Sequence, residues 1–169
     1  MDPSLAIQVV ERSTRPESRD HGEQHWKAVA YAGQKLAAQV EGCDAGLVLL
    51  FALFHDSQRF NEFHDPEHGL RGGMLAREMN PTALQLDADR LDLLVDACTR
   101  HDKGQVTDHP TIGVCWDADR LNLPRVGISP DPQLLSTSPA RNPELMAEAV
   151  SYHGTAYRWE DLFAGYARV

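Results

Sequence analysis

The sequence predicts an all-α protein, a single compact helical bundle. Apolar residues recur at helical spacing in one stretch after another, and short Pro, Asp and Gly punctuation separates the stretches, with no internal repeat or low-complexity tract. The third observation is the run Leu47 to Phe54, too long and continuous for a solvated surface, which reads as an element buried on most sides. A chain of 169 residues with 42% hydrophobic side chains fills one ordinary core, so residues 1–169 read as a single domain.

Residues 4 to 11 form a short first helix, and Ser13 to Asp20 a charged connector. From Gly22 to Val40, Trp26, Val29, Ala30, Leu36, Ala37 and Val40 make a helical stripe. His25 shares the flank of that stripe, whereas His21 falls toward the polar side. The third helix is the apolar run, which ends in the doublet His55-Asp56. Burying an imidazole and a carboxylate without partners is costly, and a metal ion between them removes the cost. On the doublet alone, a helix C-terminus with a His at its negative end and a solvated Asp is the better reading.

A polar turn runs through Asn61, and His64 is a loop residue. Asp65-Pro66-Glu67 then reads as an N-cap, a first helical Pro and a first-turn acid, which places His68 in the first turn of the next helix. Gly69, Gly72 and Gly73 allow a close approach to that helix's backbone. Asn80-Pro81 repeats the cap signal, and the long helix after it lines one face with Leu91, Leu94, Val95 and Cys98. His101 continues that face, while Asp102 is turned away. After the loop Lys103 to Asp108, His109-Pro110 starts a helix whose stripe is Ile112, Cys115, Trp116 and Leu123. Asp119 lies in the middle of the stripe and Asp117 well off it, so Asp119 is the inward acid and Asp117 orients a neighbour or faces solvent.

In the tail, Pro124, Pro130, Pro132, Pro139 and Pro143 break the chain into turns and short pieces, with Ser136-Thr137-Ser138 capping a turn. Helices resume over Pro143 to Tyr152 and Thr155 to Ala167, where Trp159, Phe163 and Tyr166 pack against the bundle.

The net charge of −9 argues against a nucleic-acid backbone as partner, while a local basic patch still suits a small phosphorylated molecule. Cys43, Cys98 and Cys115 have no metal-type spacing and suit a reducing, cytoplasmic setting. Met1-Asp2-Pro3 opens no signal-peptide pattern, and the apolar run is too short to span a bilayer. Homo-oligomerisation is left open.

Collected, the inward polar residues are His25, His55, Asp56, His68, His101 and Asp119. Four imidazoles and two carboxylates suit manganese, iron, cobalt, nickel, zinc or, less well, magnesium, and neighbouring helices of a bundle can project them into one pocket.

The order His25, His55-Asp56 and then Asp119 within Ala118-Asp119-Arg120-Leu121 resembles the HD-domain superfamily of metal-dependent phosphohydrolases, over residues from about 21 to 127 and continuing into the tail. The resemblance implies an all-α bundle in which His25, His55, Asp56 and Asp119 bind a first divalent metal ion. His68 and His101 match two additional His that let some members hold two. Here Trp26-Lys27 stands where an Arg-Val pair often follows the first His, and Asp102-Lys103-Gly104-Gln105 lacks the Gly-Tyr-Pro of the cyclic dinucleotide branch. The implied activity is metal-assisted hydrolysis of a phosphate mono- or diester, of a nucleotide or another small metabolite, with Asp56 bridging two ions. Arg59 and Lys103 are the cations set against phosphate, although a solvated surface charge is an equally good reading for each. Asp102 or Asp117 would orient a ligating imidazole. Two other readings are a di-iron oxygenase of the same superfamily and a non-catalytic nucleotide sensor.

Overall fold

A computed structural model describes all residues, 1–169. Eight α-helices and no strand form it: α1 (Ser4–Arg12), α2 (Glu23–Ala37), α3 (Ala45–Phe54), α4 (His68–Met79), α5 (Ala88–Arg100), α6 (Pro110–Arg120), α7 (Pro143–Ala149) and α8 (Trp159–Tyr166). The central helix is α3. Every residue from Leu47 to Phe54 is buried, and α2, α4, α5, α6 and α8 all pack on it. Its start is set by Asp44, whose carboxylate accepts from Leu47 N–H at 3.0 Å and pairs with Arg90 of α5. No helix is long and apolar enough to cross a membrane.

Three expected helix boundaries differ. Asp65 does not cap α4; its carboxylate accepts from Phe60 N–H (2.8 Å) and Arg71 Nη2 (2.5 Å), and the helix begins at His68. Asn80 does not start α5 either. It opens a π-helical turn, Asn80–Leu84, that ends at left-handed Gln85 (φ 54°), and its side-chain amide brackets Leu86 by two hydrogen bonds. The α5 cap is Asp87, which accepts from Arg90 N–H at 2.9 Å. The tail helices are shorter than the apolar pattern suggests, because Tyr152–Gly154 forms a separate 3-10 turn.

The glycines of α4 admit neighbouring backbone rather than a ligand. A Cβ on Gly69 would lie 2.1 Å from Cys98 O of α5, and one on Gly72 would lie 2.1 Å from Phe54 O of α3. This contact brings the start of α4 against the ends of α3 and α5, where His55 and His101 sit. From the other side α8 closes the core: Trp159 Nε1 donates to Glu23 of α2 at 2.8 Å and Tyr166 OH to Ala30 O at 2.6 Å.

Candidate metal centre

Four buried imidazoles meet where α2, α3, α4 and α5 converge. His25 projects from the first turns of α2, His55 caps the end of α3, His68 opens α4 and His101 caps α5. In each ring Nδ1 faces an oxygen acceptor. His55 Nδ1 donates to Phe51 O (3.1 Å) and Ala52 O (3.2 Å), His68 Nδ1 to Asp65 O (2.5 Å), His101 Nδ1 to Cys98 O (2.7 Å) and His25 Nδ1 to Asn122 Oδ1 (2.8 Å). A carbonyl only accepts, so Nδ1 carries the proton in the neutral ring and Nε2 is left as a bare lone pair.

Those lone pairs converge. His25 Nε2 lies 3.1 Å from His55 Nε2, and His68 Nε2 lies 3.0 Å from His101 Nε2. Two acceptors at that distance repel unless a proton, a metal ion or another donor engages at least one of them. Asp56 lies between the two pairs: Oδ2 is 3.5 Å from His25 and 3.7 Å from His55, whereas Oδ1 is 3.1 Å from His68 and 3.7 Å from His101. Asp119 Oδ1 completes the first pair, 3.2 Å from His25 and 3.9 Å from His55. The ligand atoms fall into overlapping groups, each spanning no more than 4.8 Å: His25, His55, Asp56; Asp56, His68, His101; and His55, His101, Asp119. The donor set, its burial and its unprotonated nitrogens fit a divalent ion of the kind expected from the sequence.

At the His25–His55 pair the electrostatics agree with that geometry. Burial, with Arg125 nearby, pushes the His25 pKa down, and burial pushes that of His55 from 6.5 to about 3, which keeps both rings neutral and able to ligate. For Asp56 and Asp119 burial alone would raise the pKa, but the surrounding imidazoles outweigh it and hold both acids well below the usual carboxylate range. In metal-free protein His55 should make stability fall with acid. The unfolded chain takes up this proton below pH 6.5 and the folded chain only near 3, so its contribution is full above 6.5 and drains away below. Asp56 and Asp119 add to the loss at lower pH, whereas His101, raised because Asp56 outweighs its burial, works in the opposite sense. The urea midpoint should drop between about pH 6.5 and 4 as the unfolding free energy falls by at most about 1.4 kcal/mol per pH unit for this one proton, and the slope should be shallower in His55→Gln.

The cluster forms the base of a cleft of about 300 Å³, whose walls carry Arg59, Arg120, Arg125, His21, Asp102 and Asp131. Of the six expected ligands, Asp56, His68, His101 and Asp119 line this base, and His25 and His55, both fully buried, lie beneath them. Lys103 is not among the lining residues: its ammonium donates to Pro66 O (3.0 Å) and pairs with Asp102 of the cleft wall. Asp117 is neither solvated nor an imidazole partner. It is fully buried and accepts Ser136 N–H (2.7 Å), Thr137 N–H (2.7 Å) and Thr137 Oγ1–H (2.8 Å), so it ties the tail to α6. Asp102 orients no ring either, because Nδ1 of each of the four imidazoles is held by another oxygen.

Sequence reasoning missed Asn122, Arg120, Arg125 and His21. Asn122 stands three residues past Asp119, and that spacing was the available signal. Arg125 is held over the cleft by Asp20 O (2.6 Å) and Asn122 O (3.1 Å), and Arg120 Nη1 by Leu134 O. His21 does reach the cleft wall, because the connector wraps back so that Glu62 accepts its Nδ1–H at 2.9 Å.

Among solved structures the chain is similar to the crystal structure of a predicted HD superfamily hydrolase from an uncultured Thermotogales bacterium. The TM-score is 0.65 and the identity 20%, over 98% of this chain and 91% of that one. No protein-family model matches the chain, and no curated protein matches it by sequence. At that identity the likeness is one of fold, and the fold is the all-helical HD type that the sequence led us to expect.

Proposed function

We propose, from an HD-type fold with converging imidazole lone pairs at the base of an arginine-walled cleft, that this protein is a metal-dependent phosphohydrolase. Its substrate is a phosphate ester of a nucleotide or another small phosphorylated metabolite. The observation that carries the reading is the pairing of neutral His25 with His55 and of His68 with His101 about the ionised Asp56. His25, His55, Asp56 and Asp119 would hold a divalent transition metal, and Asp56, His68 and His101 offer a second set of donors.

When bound, such an ion polarises a phosphoryl oxygen and lowers the pKa of water near neutral. The chain supplies the rest. Arg59, Arg120 and Arg125 bring positive charge to the cleft and bind the phosphate oxygens that gain charge as the ester bond breaks. Asn122 and the carbonyls of Phe51, Asp65 and Cys98 lock the rings, so no imidazole must reorient as substrate enters.

The test is phosphate release from nucleotides, sugar phosphates and diesters by protein stripped and reloaded with each divalent metal. Release that requires the metal is expected; a silent panel from metal-loaded protein counts against hydrolysis. In the same assay Asp119→Asn should lose bound metal and turnover. Asp117→Asn should keep its metal and lose about 2 kcal/mol of stability, since its amide cannot accept all the tail's N–H bonds. Metal lost from Asp117→Asn but kept by Asp119→Asn would reverse the two assignments.

A further inference from the structure

Arg59 is 8% exposed, and its guanidinium is held through all three nitrogens. Nε donates to Asn61 O at 3.3 Å and Nη2 to Phe63 O at 3.0 Å, so the turn after α3 aims the remaining nitrogen inward. Nη1 reaches His68 Nε2 at 3.0 Å and Asp56 Oδ1 at 3.4 Å. His68 Nδ1 is committed to Asp65 O, so Nε2 can only accept, and Arg59 donates to it.

His68 Nε2 and Asp56 Oδ1 are also atoms that a second ion would need, each at roughly 2.0–2.2 Å. A guanidinium does not give up its proton in proteins, so a permanent charge already engages both lone pairs. His101 is not confined to that corner. Its Nε2 also groups with His55 and Asp119 within 4.8 Å, on the side of the first ion.

Building on the metal-site reading above, we propose that the centre holds a single ion, drawn from His25, His55, His101, Asp56 and Asp119. Arg59, through His68 and the outer oxygen of Asp56, takes the place of the second. Asp56 then bridges a metal ion and a guanidinium, and a substrate phosphate meets an ion on one side and Arg59 on the other. A chemistry that needs two irons has no second seat.

The experiment is the metal-to-protein ratio, by elemental analysis and native mass spectrometry, of stripped protein reloaded with excess Mn²⁺ and desalted. One ion is expected in the wild type, two in Arg59→Gln, and one again in Arg59→Gln/His68→Asn. His68→Asn alone should keep its one ion with affinity changed by no more than about threefold, whereas His101→Asn should bind at least about tenfold more weakly. Two ions in the wild type overturn the proposal, as does a folded Arg59→Gln that stays at one. Should Arg59→Gln not fold, His68→Asn decides: a tenfold or greater loss of affinity makes His68 a ligand and the proposal wrong. A wild type that takes up no ion overturns the metal site itself, and this inference with it.

Discussion

Asp56→Asn is expected to leave a folded protein that retains no metal after desalting and releases phosphate at least about 10³-fold more slowly than the wild type. Asp56 is 4% exposed, and its oxygens are the acceptors set between the two imidazole pairs. An amide of the same shape removes the charge and turns an N–H₂ group toward a bare Nε2 where an acceptor stood. In the metal-free protein that exchange is nearly balanced, since the amide gives one imidazole a donor, and stability should change by about 1 kcal/mol. Thermal melts with and without metal separate the two effects. Added Mn²⁺ should raise the wild-type midpoint, because it binds only the folded state, and should leave that of Asp56→Asn where it was. A metal-dependent rise in Asp56→Asn would show that the remaining ligands suffice.

Gly69→Ala should be the most damaging of the small substitutions, although it touches no ligand atom. The added methyl would lie 2.1 Å from Cys98 O and 3.1 Å from His101 Nδ1, so α4 must move off α5 or the end of α5 must yield. Either movement disturbs the bond from His101 Nδ1 to Cys98 O that aims the ring. A loss of about 3 kcal/mol is expected, which lowers the melting midpoint by roughly 6–12 °C, together with weaker metal retention. Gly154→Ala is the control, since a Cβ there meets nothing within 4 Å. Equal midpoints for the two variants would mean that the helices do not pack this closely.

How much of this was legible depended on whether a residue's role was carried by its own helix. The buried α3 and its terminal doublet could be read because a continuous apolar run admits few alternatives. The inward faces of His25, His101 and Asp119 follow from helical periodicity alone. His68 does open α4, but not through the cap signal before it, since Asp65 grips Phe60 and Arg71 instead of capping the helix. What stayed hidden was set by contacts distant in sequence. Asp117 is buried because a tail segment about twenty residues later folds onto it, and His21 is turned to the cleft by Glu62. No local pattern encodes either contact. Lys103 follows His101 closely in the chain, but its ammonium turns to Pro66 O and Asp102, a direction that nearness in sequence does not give.

The grip of Asp117 on the tail has a consequence for how this protein can change. Asp119 at the base of the cleft and Asp117, which fastens the segment carrying Asp131 and Leu134, stand on the same helix two residues apart. The fastening is made mainly to main-chain N–H groups, and Arg120 likewise holds the main-chain carbonyl of Leu134. Side chains from residue 128 to 134, outside the core that takes in Leu135, are therefore interchangeable from the scaffold's point of view. The segment is a natural cassette: its sequence can drift, or be swapped by an engineer, to reshape the cleft wall while the His and Asp cluster beneath stays in register.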